Sequence, residues 1–171
     1  PSAEPPLPQG PPIIGLCVYS NAQALGQSAV GKAYATRMQQ LQAQAAAEIS
    51  GQQTSLQTQE KALVAKRATL SQEQFAQQAQ PLQAQEQALN QTADARTRDL
   101  RYTAARQQQR LAAVLEPLVR SAYVGHHCSV LLSGDTVMAA NHDMDLTQEV
   151  IASLNSRMTT ITFDRETAPA Q

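Results

Sequence analysis

Leu70-Ser71-Gln72-Glu73-Gln74 lies near the middle of a long stretch, Ala22 to Val124, built mainly from Ala, Gln, Leu, Glu, Arg and Thr. Most of these are strong helix formers, and over such a length the preference is informative. Whether the stretch is one rod or two arms turns on this pentapeptide. The Ser71 hydroxyl can accept from the Gln74 amide, and the Gln74 side chain can accept from the Ser71 amide, the reciprocal pair that starts a new helix. The residues therefore favour a reversal near Ser71. Asn90 and Pro81 are rival break points. Pro81 removes a backbone donor and is expected to bend the returning arm. A single unbroken helix is the rival architecture.

Moving outward from the reversal, the apolar residues are sparse but spaced. Ile49, Leu56, Leu63 and Leu70 fall seven apart, and Leu82 and Leu89 do so again. That repeat keeps one thin seam along a partner helix. The second seam position is filled by residues such as Gln52, Gln53, Gln59, Glu60 and Arg67. The pairing should be weak and flexible.

The ends of the chain differ. Pro1 to Pro12 is a proline-rich lead-in expected to be disordered. Ile13-Ile14-Gly15-Leu16-Cys17-Val18-Tyr19 is a short apolar run that reads as a strand, and Ser20-Asn21 suits a helix cap. Past the arm, Pro117 is expected to interrupt the helix and Gly125 to end it. Cys128–Leu132 and Thr136–Ala140 read as two strands joined by a hairpin loop, Ser133-Gly134-Asp135. Leu146, Val150, Ile151 and Leu154 recur at helical spacing, with Asp145 or Thr147 as cap. Residues 159–171 read as a loose tail.

The expected fold class is therefore α+β. Residues 13–21 and 125–158 form a small β body with three strands and a short helix. Residues 22–124 form a long antiparallel helical hairpin with its tip near residue 71. Three strands make a marginal sheet with open edges, so the body is expected to oligomerise. The residues expected to carry that contact are Ile14, Leu16, Val18, Val130, Leu131, Leu132 and Val137.

Composition agrees with a small body and a long arm. Aromatic residues make up 4% and Trp is absent, which is lean for a globular core of 171 residues. The net charge of −1 does not point to a nucleic-acid partner. Its distribution is uneven, because Val30–Gly125 is mildly basic and the remainder acidic. Arg96, Arg98, Arg101, Arg106, Arg110 and Arg120 form a run that reads either as a solvated helix face or as a surface for acidic partners.

Chemistry-bearing motifs are not found. The chain has no nucleophile elbow, phosphate-binding glycine loop or Cys-x-x-Cys. His126-His127-Cys128 reads as a turn, and His142-Asp143-Met144-Asp145 as a polar loop before a helix. No enzyme activity, cofactor or metal is expected. Two cysteines are too few for a disulfide framework, and free buried thiols at Cys17 and Cys128 are the favoured reading. No stretch is long and apolar enough to span a membrane, and no part of these residues is expected to be a signal peptide.

Ile13–Tyr19 followed by Leu25 and Ser28-Ala29-Val30-Gly31-Lys32 resembles the opening of the Skp/OmpH family of periplasmic chaperones. Val130-Leu131-Leu132, Val137-Met138-Ala139-Ala140-Asn141 and the run from Asp145 to Asn155 resemble its closing hairpin and helix. The likeness covers nearly all of residues 13–155. Two features depart from the family pattern. Ser20 stands where an acidic residue would close the first strand, and the net charge is near neutral where well-known members are basic.

The resemblance implies a homotrimer whose arms surround a cavity holding unfolded outer-membrane proteins, without ATP. It implies a periplasmic location with a signal peptide removed. A Cys17–Cys128 disulfide would be compatible with that compartment. Residues expected to meet the client are Leu56, Leu63, Leu70, Phe75, Arg96, Arg98 and Arg101. The basic arms would also suit contact with an acidic membrane surface. The alternative is a structural coiled-coil spacer or adaptor with a β trimerisation module.

Overall fold

The structure is a computed structural model that describes residues 10–169. The expected lead-in falls outside the described residues as far as residue 9. The elements are β1 (Leu16–Tyr19), α1 (Asn21–Gln27), α2 (Ala29–Ala65), α3 (Gln72–Gly125), β2 (Val130–Ser133), a single 3-10 turn (His142–Met144) and α4 (Thr147–Arg157). The chain divides into two compact units. Unit 1 takes residues up to Thr36 together with Gln108–Thr162, and unit 2 takes Arg37–Gln107 with residues from Phe163 onward.

In unit 1, β1 and β2 form a two-stranded parallel sheet, with Leu16 opposite Val130 and Tyr19 opposite Ser133. The first strand is shorter than expected because Ile13 and Gly15 form a turn. Leu16 N donates to Ile13 O, and Gly15 has φ 79°, a conformation that favours glycine. The third expected strand, Thr136–Ala140, is not formed among the described residues. Its hairpin loop does not close, because Asp135 turns away. The Asp135 carboxylate accepts from the Ser20 hydroxyl and from Ala22 N (3.4 Å), at the start of α1. Thr136 instead closes a turn onto Ser133 O. Asp135 thus brings a carboxylate to Ser20 at the end of β1.

Ser20 is the N-cap of α1, accepting from Gln23 N at 3.0 Å. The Ser-x-x-Gly-Lys segment proves to be a junction between helices. Ser28 ends α1, and its hydroxyl accepts from Gly31 N at 3.2 Å, capping α2. Gly31 is required by close approach, because a Cβ there would lie 1.6 Å from Leu25 O. The Asp145–Asn155 run supplies the other half of the body. The Asp145 carboxylate accepts from Thr147 N at 2.8 Å, Thr147 Oγ1 accepts from Ser20 N at 3.0 Å, and Asn155 Oδ1 accepts from Ala29 N at 2.8 Å. Val150 and Leu154 are fully buried between these polar ties.

Cys17 and Cys128 are joined in a disulfide, with their Cα atoms 5.8 Å apart. The expectation of free thiols is therefore corrected. The parallel pairing of β1 with β2 brings together residues 111 apart in sequence. Cys128 is presented by the end of α3, where His127 takes the left-handed position (φ 52°). His127 N donates to Val124 O, and Cys128 N to Tyr123 O, the paired bonds of a Schellman ending. Gly125, expected as the cap, is the last helical residue instead.

In unit 2, residues of α2 and α3 lie antiparallel. The ion pair of Glu48 with Arg96 and a groove bounded by Leu56 and Leu89 fix the register. The reversal occurs between Ala65 and Gln72. Ser71 N donates to Gln74 Oε1 at 3.0 Å, and Gln74 N to Ser71 Oγ at 3.2 Å, so the expected capping box is formed. Neither Pro81 nor Pro117 breaks α3. Both are exposed, so the carbonyl that loses its partner can turn to water.

Candidate binding surfaces

The seam of unit 2 is narrow. Met38, Leu41, Ala45, Leu56 and Leu63 are buried, while Gln52, Gln53, Gln59, Glu60 and Arg67 are exposed. Leu56 and Leu63, expected to face a client, hold the helix pair together instead. Nearer the reversal, Leu70 and Phe75 are half-buried and Val64 is exposed. The Arg67 guanidinium lies 4.7 Å from the centre of the Phe75 ring, a cation–π contact. A shallow groove of about 400 Å³ beside Leu63, Lys66, Gln78 and Leu82 lies in the same part of the unit.

The expected arginine surface divides. Arg98 and Arg101 are exposed. Arg96 is a clamp between helices, donating two hydrogen bonds to Glu48 at 2.8 and 2.9 Å and lying 3.6 Å from Asp99. The hydrogen bond from Arg96 holds the Glu48 carboxyl down at about 2, against an ordinary 4.5, with Arg165 adding to the effect. That clamp accounts for part of the basic character of the arm without an outside partner.

A further surface was not foreseen. Residues 163–169, expected to be loose, run along unit 2 and are tied to it. Arg37 Nε donates to Phe163 O at 2.8 Å and Arg37 also pairs with Asp164 at 2.7 Å. Arg165 meets Glu48 at 3.3 Å. Glu166 N donates to Thr103 Oγ1 at 2.8 Å, Gln107 donates to the Glu166 carboxylate at 2.9 Å, and Ala168 N donates to Asp99 Oδ1 at 2.9 Å. Asp99, Thr103 and Gln107 are buried polar residues spaced four apart on α3. That polar row, and the alternating charges of Asp164-Arg165-Glu166, are the signals in the sequence that could have revealed it.

On unit 1 the sheet leaves apolar surface uncovered. Ile14 and Met138 are fully exposed, and Ile13, Val130 and Leu132 are substantially so. Leu16, Leu131 and Val137 are half-buried. Val18, expected at the same contact, is 4% exposed and belongs to the unit's own core. β1 is bridged on its far side by Asp145, whereas β2 has no second strand partner among the described residues. An open apolar groove of about 340 Å³ lies beside the sheet, lined by Tyr19, Leu115, Val119, Tyr123 and Leu131. Burial, and then the nearby Asp135 carboxylate, pushes the Tyr19 phenol up to about 12, so it stays neutral.

Among the described residues, no cluster of His, Cys, Asp and Glu could hold a metal, and no helix is long and apolar enough to cross a membrane. His126 sits in the α3 ending and meets Glu149 at 2.6 Å.

The family model described as "Outer membrane protein (OmpH-like)" matches residues 15–154. No curated protein matches the chain. Among solved structures, one from Caulobacter crescentus CB15, carrying the name of an OmpH-like outer membrane chaperone, is 36% identical. It matches with a TM-score of 0.90 over 99% of this chain and 100% of that one. With the helical pair, the strand-to-arm junction and most of the closing helix falling inside the matched residues, the chain belongs to the OmpH-like outer membrane protein family.

Proposed function

We propose that this protein is an ATP-independent holdase that keeps outer-membrane proteins unfolded and soluble in the periplasm. The observation that carries the reading is the likeness, over almost the whole of both chains, to the Caulobacter protein named as an outer membrane chaperone. The geometry supports it. Unit 2 offers a long surface of glutamine, exposed Arg98 and Arg101, and scattered apolar residues near Val64, Leu70 and Phe75. Many weak contacts of this kind suit a client without fixed shape, and release needs no energy source. The disulfide suits an oxidising compartment.

The assembled form is a homotrimer, with the client held between the arms of the three copies. Support comes from unit 1. The uncovered residues Ile14, Val130 and Leu132, the open edge of β2 and the adjacent apolar groove are surfaces that a sister copy would cover. The basic residues left exposed on the arm also suit contact with an acidic membrane surface.

Light scattering tests the reading. A urea-unfolded β-barrel outer-membrane protein, diluted into buffer with excess chain and no nucleotide, should stay in solution. Aggregation at the rate seen without the chain would refute it. Leu132→Asp should lower the native mass towards a single chain. Retention of the full assembly by that variant would place the contact elsewhere.

A further inference from the structure

The tail on unit 2 is bound in part through its backbone, at Phe163 O, Glu166 N and Ala168 N. On α3, Thr103 and Asp99 are four residues apart, which is about 6.0 Å along the axis. The amides they accept from, Glu166 and Ala168, are two residues apart in an extended chain, which is about 6.6 Å. The helical repeat and the extended repeat therefore match, with the tail antiparallel to α3. Thr103 is oriented for this task, because its hydroxyl donates to Asp99 O at 2.7 Å and leaves its lone pairs for an incoming amide. Gln107, next on the same face, donates instead to the Glu166 carboxylate. Opposite, Arg37 on α2 donates to the carbonyl of Phe163. Asp99 and Thr103 thus read two alternate amides, and Arg37 one carbonyl, whatever the side chains of the segment.

Of the contacts specific to this tail, those of Gln107 with Glu166 and of Arg165 with Glu48 are partly buried, while the others are open to water. The Asp164 side chain is 95% exposed in its pair with Arg37, and ion pairs so open to water add little. Arg106 and Glu166 are 3.6 Å apart and both are substantially exposed. The tail is thus held by contacts to its backbone, two partly buried side-chain ties and a few solvated charges, and the backbone contacts are ones that another extended segment can make in its place.

We propose that the row Asp99–Thr103–Gln107, with Arg37, is a binding site for extended polypeptide, and that residues 163–169 fill it in cis. Unfolded client segments and the tail then compete for one groove. This deepens the holdase reading and rests on it for the identity of the competitor. The tail would set a threshold, since a client must offer enough extended backbone to displace it.

The test uses the full chain. Amide hydrogen exchange at Glu166 and Ala168 is measured with and without the urea-unfolded barrel protein. Protection at both amides should fall as client binds. In parallel, a fluorescent peptide with the sequence of residues 162–169 is titrated against three proteins. Glu166→Ala weakens only the resident tail and should tighten peptide binding about fivefold, the scale of one lost hydrogen bond of ordinary net strength. Thr103→Val weakens the groove itself and should not tighten it. Protection that persists at saturating client, or a Glu166→Ala affinity equal to wild type, would overturn the proposal and leave the tail a structural strap. If the barrel protein aggregates regardless, the holdase reading fails while the peptide titration still decides the groove. If aggregation is suppressed with the tail amides still protected, the groove fails alone.

Discussion

Unit 1 and unit 2 are built from different materials. In unit 1, Ala24, Val30, Val150 and Leu154 are wholly buried, and a disulfide and a chain of side-chain caps join segments far apart in sequence. In unit 2, the apolar seam is one residue wide over much of its length, and the remaining ties are the Glu48–Arg96 clamp and the polar row under the tail. Burial of apolar surface scales with area, so the first unit should resist opening far longer than the second. The difference suits the division of labour proposed here, a firm body that gathers copies and a yielding arm that adapts to clients.

Several substitutions would sharpen or break that contrast. The largest effect should come from the disulfide. Replacing Cys17 and Cys128 by Ser frees a loop closed across 111 residues. The change should cost about 4 kcal/mol, with most of the loss arising in the unfolded chain. Urea unfolding of unit 1 would show it. Gly31→Ala comes next, at about 3 kcal/mol, because the new methyl would overlap Leu25 O and force the two helices apart. Leu63→Ala, in unit 2, should cost about 2 kcal/mol. Its hydrogen exchange should rise along the helix pair and stay unchanged in β1 and α4. Equal loosening of both units by Leu63→Ala would erase the contrast.

Smaller effects follow. His127→Gly should stabilise unit 1 by about 1 kcal/mol, because glycine accepts φ 52° without a Cβ penalty. A fall in melting temperature would contradict the reading of that turn. The pH dependence of unit 2 should be the mildest effect. The folded value for Glu48 lies near 2, below its ordinary 4.5. Its contribution is therefore fully present above pH 4.5 and is lost as pH falls from about 4.5 towards about 2. Circular dichroism across that range should show less acid weakening in Glu48→Gln than in wild type, since the variant has already lost the clamp.

Much of the architecture is legible in the residues when the signal is local. The Ser71–Gln74 box, the Ser20 cap and the helical spacing of Val150, Ile151 and Leu154 all depend on neighbours a few positions away, and each is formed. What escapes the sequence depends on distant partners. Thr136–Ala140 has strand-like residues, but Asp135 is drawn to Ser20 and the hairpin never closes. Two cysteines reveal their bond only once β1 and β2 are known to pair in parallel. Arg96 looks like a free cation until Glu48, on the other helix, is set beside it. The residues assigned to a client illustrate the same limit. Leu56 and Leu63 have the spacing of a seam and are buried by it, while the row at Asp99, Thr103 and Gln107 has helical spacing but polar side chains, which read as a solvated face. Its meaning lies in a tail more than fifty residues downstream, as the separation of 63 between Thr103 and Glu166 shows.

Native mass spectrometry of the chain mixed with an unfolded β-barrel protein tests the central claim most directly. The account predicts a complex of three chains, three times 18.4 kDa, carrying client. It also predicts that Leu132→Asp yields single chains with little client bound. Client carried equally well by the single-chain variant, or three chains that never take up client, would contradict it.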